Sequence, residues 1–211
     1  MTNMFIFYIF VFISIILVAG YFLGKKRNKQ ISTIALKTLE EIIKPGDQII
    51  TNIGGVVGYH VEMKFEEEQY FEDLRGTITL MPRHSLLYLP ISKIFRKFDR
   101  FYLEIELKSS PVEREIHFLE NKFLDQYRKG VKNNNRLITE EIQYQNKTFL
   151  YLYEKRSDLE KIKTLVRTIQ GVKYIKEVSL NPNGLLEILF IPAKDDRNKK
   201  ILEPLIEWLQ L

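Results

Sequence analysis

The run MFIFYIFVFISIILVAGYFLG, which opens at Met4 and closes at Gly24, constrains this chain more than any other feature: 21 consecutive residues carry no charge. At about 1.5 Å per residue such a helix is about 30 Å long, the thickness of a bilayer's hydrocarbon core. Lys25, Lys26, Arg27 and Lys29 follow directly, and no charged residue precedes the run. Basic flanks stay on the cytoplasmic side, so the expected topology is single-pass in the inner membrane, with the N-terminus outside and the rest cytoplasmic. A cleaved signal peptide carries its positive charge ahead of a shorter apolar core. Both features are reversed here despite the small residues Val18-Ala19-Gly20, so the run reads as an uncleaved anchor with the lipid bilayer as its partner.

The formal charge is +5, and the four flanking residues supply +4 of it, leaving +1 for the remaining body. A body so near neutrality is not built to neutralise many phosphates; DNA is not expected as a partner, and RNA is the weaker reading. There is no cysteine. That excludes disulfides, thiolate metal sites, cysteine nucleophiles and a lipoprotein-type anchor.

Beyond the span the patterning predicts an α+β chain. Residues 25–43 read as a basic flank and a short amphipathic helix, with Ile31, Ala35, Leu39 and Ile42 at helical spacing and Pro45-Gly46 ending it. The stretch KPGDQIITNIGGVVG, residues 44–58, reads as strand, two-residue Gly54-Gly55 turn and strand, with Pro45, Gly46, Asp47, Gly54, Gly55 and Gly58 as its turn residues. A phosphate loop is excluded because Val56-Val57 lead into a strand and not into a helix. A third strand over 75–81, another over 100–108 and a helix over 113–129 complete an expected β-rich lobe, 44–132, forming a small sheet or barrel. Gly130 and Asn133-Asn134-Asn135 mark its boundary.

The second expected lobe spans 136–211. It holds a hairpin (136–144 and 148–153), a helix opened by a Ser157/Glu160 capping box and closed by Gly171, strands over 172–180 and 185–191, and a final helix with Ile201, Leu205 and Trp208. This order predicts a ferredoxin-like, split βαβ layer.

Residues 90–98, PISKIFRKF, place Ile91, Ile94, Phe95 and Phe98 on one helical face and Lys93, Arg96 and Lys97 on the other. Two readings stay open. One is a helix packed on the sheet with solvated lysines; the other is a basic turn resting on the anionic inner leaflet, with Lys93, Arg96 and Lys97 toward lipid.

No pattern points to an enzyme. His60, His84 and His117 are scattered, Arg83-His84-Ser85 lacks a glycine elbow, and Glu66, Glu67, Glu68, Glu72 and Asp73 lack the alternating spacing of a calcium loop. No catalytic residue, cofactor or metal is expected.

About the first sixty residues resemble the YajC family, the small single-span accessory subunit of the bacterial Sec translocon. The resemblance rests on the span, the basic flank, LKTLEEI at 36–42, and Gly46, Asp47, Thr51, Gly54, Gly55 and Gly58 in the stretch that follows. Gly24-Lys25-Lys26-Arg27 replaces the family's Arg-Pro-Gln-Gln run, and about 150 residues follow the matching part. It implies a YajC-like module within a larger protein. The same glycine pattern is similar to KOW barrels, which implies RNA contact. The C-terminal part is similar in plan to ACT and HMA folds and to ring-building motifs of membrane secretion and flagellar assemblies, and the missing thiols exclude the HMA metal function.

The expected function is non-catalytic: a protein-interaction domain held at the membrane, beside the translocon or another membrane assembly, with a membrane-protein partner. The alternative is a membrane-tethered, ligand-sensing ACT-like module.

Overall fold

The computed structural model describes residues 2–66, 70–124 and 137–210. Helix α1, Thr2–Ile43, is one uninterrupted helix of 42 residues. The apolar run and the amphipathic helix expected within 25–43 are continuous through the basic flank, whose lysines and arginine are good helix formers and which contains no proline. The apolar half of α1 is exposed, whereas Ile31, Ala35, Leu36, Leu39 and Ile43 are buried in the core. The helix ends on Lys44, whose left-handed backbone (φ 51°) ends the helix ahead of Pro45 and Gly46.

The strands are β1 (Asp47–Asn52), β2 (Gly58–Lys64), β3 (Phe71–Thr79), β4 (Arg100–Leu107), β5 (Ile116–Glu120), β6 (Ile138–Tyr144), β7 (Lys147–Tyr153), β8 (Ile175–Leu180) and β9 (Leu185–Phe190). They form one antiparallel sheet in the order β1-β2-β3-β4-β9-β8-β5-β7-β6. Among the described residues the other α-helices are α2 (Leu89–Arg96), α3 (Arg156–Thr168) and α4 (Arg197–Leu209), the last running through Pro204.

This topology corrects the expected division into two lobes. Strand β4 pairs with β9 along six residue pairs, and β5 lies between β8 and β7, so residues from both stretches interleave in one sheet. Among the described residues of 44–132 no separate barrel closes; β1 to β4 form an open meander that continues into β9. The helix expected over 113–129 is also corrected: residues 116–120 are a strand buried at every position. A central strand covered on both faces loses its alternation, and Ile116, Leu119 and Phe123 then mimic helical spacing. The boundary expected at Gly130 and Asn133–Asn135 lies outside the described residues, as do Glu67 and Glu68.

A split βαβ unit is present as β7–α3–β8, since both strands run antiparallel to β5. In a ferredoxin-like lobe the strand after the unit would fill its middle. Here β5, from the preceding stretch, fills it, and β9 lies on the outer side of β8. Ser157 lies inside α3, which begins at Arg156 without a side-chain cap.

The sheet alternates in β4, where Phe101, Leu103, Ile105 and Leu107 are buried while the residues between them are half-buried. These four join α1, Leu159, Ile162 and Leu165 of α3, and Ile201, Leu205 and Leu209 of α4 in one continuous core.

Candidate functional site

One end of the sheet sits at the point where α1 enters the domain. Asn28, in the middle of the basic flank, is fully buried, and its Nδ2 donates to the Met81 carbonyl at 2.8 Å. Arg83 donates to Asn28 Oδ1 at 3.0 Å and, through both terminal nitrogens, to Asp99 at 2.9 and 2.6 Å. Asp99 also accepts from the Met81 amide at 2.7 Å. Arg83 and Asp99 therefore do converge, but as a closed clamp that fastens the loop after β3 to α1. His84 points elsewhere, edge-on to Tyr21 with ring centroids 6.0 Å apart.

Strand register carries this end across the whole sheet. Thr79 pairs with Gly58 and Arg100, Phe101 with Phe190, Phe190 with Ile175, Leu119 with Glu177, Glu120 with Phe149 and Tyr144 with Lys147. The start of β4, β7 and β8 and the end of β5 thus share the end at which α1 enters. So does the glycine hairpin, because the Leu80 amide donates to the Val57 carbonyl at 2.7 Å.

That hairpin reverses over five residues, 53–57, and not over Gly54-Gly55 alone. Gly55 supplies the positive φ of 60°, and the Asn52 side chain stitches the loop by donating to Gly55 and accepting from Gly54. Gly46 donates to the Lys64 carbonyl, Asp47 opens β1 and Gly58 opens β2.

The loop at 83–87 climbs along the apolar run itself. A Cβ on Gly24 would lie 2.1 Å from the Arg83 carbonyl oxygen, and one on Gly20 would lie 2.2 Å from Leu86 Cδ1. The two glycines are four apart, the small-xxx-small spacing that permits close backbone approach in membranes. Here that face is taken by the chain's own loop. The spacing was a readable sequence signal for this contact.

Helix α2 is inverted relative to a water-facing helix. Ser92 is buried, while Ile94 and Phe95 are 72% and 77% exposed, Leu87 just before the helix is 75% exposed, and Ile91 is exposed. The reading of an apolar face packed on the sheet is therefore corrected. Lys93 is exposed, the side chain of Arg96 lies outside the described residues, and Lys97 leaves the helix with φ 62°. Lys25, Lys26, Arg27 and Lys29 are all exposed around the buried Asn28.

Beside α2, at the same end, is a cleft of about 390 Å³ walled by Phe95, Phe98 and Phe123. Phe98 and Phe123 meet edge-on at 5.7 Å. The Lys176 ammonium lies 5.1 Å from the centre of Phe98 and 5.8 Å from that of Phe123, and the Arg100 guanidinium lies 5.2 Å from Phe98. Lys97, Arg100, Lys122, Lys147 and Lys176 line it against one carboxylate, Glu120, a positive excess of four. Lys176 and Lys147 both donate to Glu120 Oε2, the latter at 3.1 Å. Among the described residues no carboxylate ion-pairs with Lys97, Arg100 or Lys122.

Glu120 and Lys176 are buried, and Lys147 is half-buried beside them. Burial pushes Lys176 down to about 8, with Lys147 adding to the effect against the pull of Glu120. Burial works to raise Glu120, but the hydrogen bonds from Lys176 and Lys147 prevail and hold it below the ordinary carboxylate range. The sequence reading missed this cleft because its charges come from residues 97, 100, 120, 122, 147 and 176, which only sheet register brings together. Chemically it is a cleft with apolar walls and a net positive lining. Among the described residues, no three His, Asp or Glu side chains gather to hold a metal ion.

No protein-family model matches this chain, and no curated protein matches it.

Proposed function

We propose that this chain is a single-pass inner-membrane protein, N-terminus outside, that lays a non-catalytic α+β domain against the cytoplasmic leaflet and presents it to a membrane-protein partner. The observation that carries the reading is the continuity of α1. One helix has an exposed apolar half long enough to cross a bilayer and a second half whose Ile31, Ala35 and Leu39 belong to the domain core. A domain built onto its own membrane helix has a fixed height and orientation, unlike one hung on a flexible linker.

Three features of the α1 end agree with a bilayer beside it. Leu86 reaches Gly20, five residues inside the basic flank and so about 7 Å within the apolar run. The inverted face of α2 offers Ile91, Ile94 and Phe95 at the same end, as an interfacial helix does. Cationic side chains there suit an anionic leaflet.

Partner contact falls to β1, which exposes Ile49 and Ile50 and, among the described residues, forms an edge of the sheet. Confinement to the membrane raises the effective concentration of such an edge for membrane-bound partners. The YajC resemblance includes this hairpin and makes the Sec translocon one candidate assembly.

The test is in-cell photo-crosslinking from position 51 of the full chain. The reading expects adducts with an integral membrane protein that an Ile50→Asp substitution removes. Recovery of uncrosslinked chain alone, from cells in which the protein is membrane-bound, contradicts it.

A further inference from the structure

The cleft beside α2 has a charge pattern that an interaction scaffold does not need. We propose that it binds the phosphate of an anionic phospholipid headgroup, entered from the leaflet alongside α2. The proposal rests on the membrane reading above and names the ligand of that surface.

Charge is the first argument. Glu120 is already engaged by Lys176 and Lys147, so it cannot neutralise the other cations. Among the described residues Lys97, Arg100 and Lys122 have no carboxylate ion-pair partner, and they lie around a concavity, the arrangement that concentrates anions. Arginine and lysine together suit a phosphate, which accepts both a planar fork and a point charge.

Position is the second. Phe95 belongs both to the exposed apolar face of α2 and to the cleft wall. An acyl chain lying along Ile91, Ile94 and Phe95 therefore delivers its headgroup to Lys97 and Arg100. The cleft also shares the end of the sheet at which α1 enters, where headgroups of a spanned bilayer would lie. Its volume of about 390 Å³ falls within the usual range for small-ligand sites, about 300–1,000 Å³.

Backbone conformation points the same way. Lys97 holds a left-handed φ of 62°, uncommon for a residue with a side chain, and it lines the cleft there.

Phosphate chemistry is shared by lipid headgroups and free phosphate, so the experiment has two arms. Full-length protein in neutral detergent is titrated with phosphatidylglycerol, with phosphatidylcholine as control, and read by native mass spectrometry; inorganic phosphate is titrated separately and read by thermal shift. The variant is Lys97→Gln/Arg100→Gln/Lys122→Gln, three exposed positions. Expected are a preference for phosphatidylglycerol and an apparent affinity about a hundredfold lower in the variant, from the loss of three basic residues near an anionic ligand. Lys122→Glu alone should lower it about tenfold or more, which keeps the test decisive if the triple variant folds poorly.

A phosphate response as strong as that to phosphatidylglycerol, and lost in the variant, overturns the lipid source and assigns the cleft to a soluble phosphate. Equal binding of the two lipids, or binding that both variants retain, overturns the cleft itself. Extraction of membranes with alkaline carbonate reads the anchor separately: release of the chain would overturn the membrane reading while the detergent titration still reports on the cleft.

Discussion

Leu86 fills the space that a side chain at Gly20 would need, its Cδ1 lying 2.2 Å from where a Cβ there would sit. The domain is thereby interlocked with the apolar run and does not merely follow it. Gly20→Leu should expel the 83–87 loop at a cost of about 1–3 kcal/mol, the usual range for overpacking. Thermal melts of the full chain in micelles should show a clear fall for Gly20→Leu and a smaller one for Gly20→Ala.

The Asn28–Arg83–Asp99 clamp makes a second prediction. Arg83→Ala leaves the Asp99 carboxylate, 7% exposed, without its cation, and breaking a buried pair from one side costs about 3–5 kcal/mol. Asp99 keeps its hydrogen bond from Met81, which places the expectation near the lower figure. Denaturant midpoints should show it, and Asn28→Ala combined with Arg83→Ala should add less than the sum of the two, because the side chains share one network.

Strand β5 makes a third. Residues 136–211 alone lack the strand between β7 and β8, so that fragment should not melt cooperatively in circular dichroism. In the full chain, Phe118 stacks on Phe149 with centroids 4.9 Å apart and is fully buried. Phe118→Ala should cost about 3–5 kcal/mol.

The fourth concerns pH. Burial holds Lys176 near 8 in the folded chain, whereas an unfolded lysine titrates near 10.5. Between those values the unfolded chain binds the extra proton, so this group makes stability rise with pH from about 8 to about 10.5. The groups facing it are Glu120, Lys147, Lys97, Arg100 and Lys122, and all but Glu120 disfavour its charge by sign. Comparing melting temperatures of wild type and Lys176→Met across this window isolates the effect; parallel curves would contradict it.

Legibility in the sequence followed the range of the interactions concerned. The apolar run was readable because composition alone decides a bilayer-length helix, and the β1–β2 hairpin because Asn52 and Gly55 act within a few residues of each other. Strand β5 was not readable, since its cover on both faces comes from distant elements and erases period-two alternation. The amphipathic pattern of α2 was plain, yet which face meets the protein depends on Met81 and Ser92 packing together from separate segments. The cleft was the least accessible. Lys97 and Lys176 are neighbours only because β4, β9 and β8 lie side by side.

In the proposed arrangement the α1 end of the domain lies at the bilayer surface, with Leu87 and Ile94 in contact with lipid. The chain has no cysteine, so single cysteines carry spin labels without background. Collision with oxygen, enriched in lipid, and with a water-soluble nickel chelate should be compared for Leu87→Cys, Ile94→Cys, Ile16→Cys in the apolar run and Ser109→Cys beyond the far end of β4, in the full protein in anionic vesicles. Labels at 87 and 94 should favour oxygen as the label at 16 does, while the label at 109 should favour the chelate. Labels at 87 and 94 as accessible to the chelate as the one at 109 would contradict it.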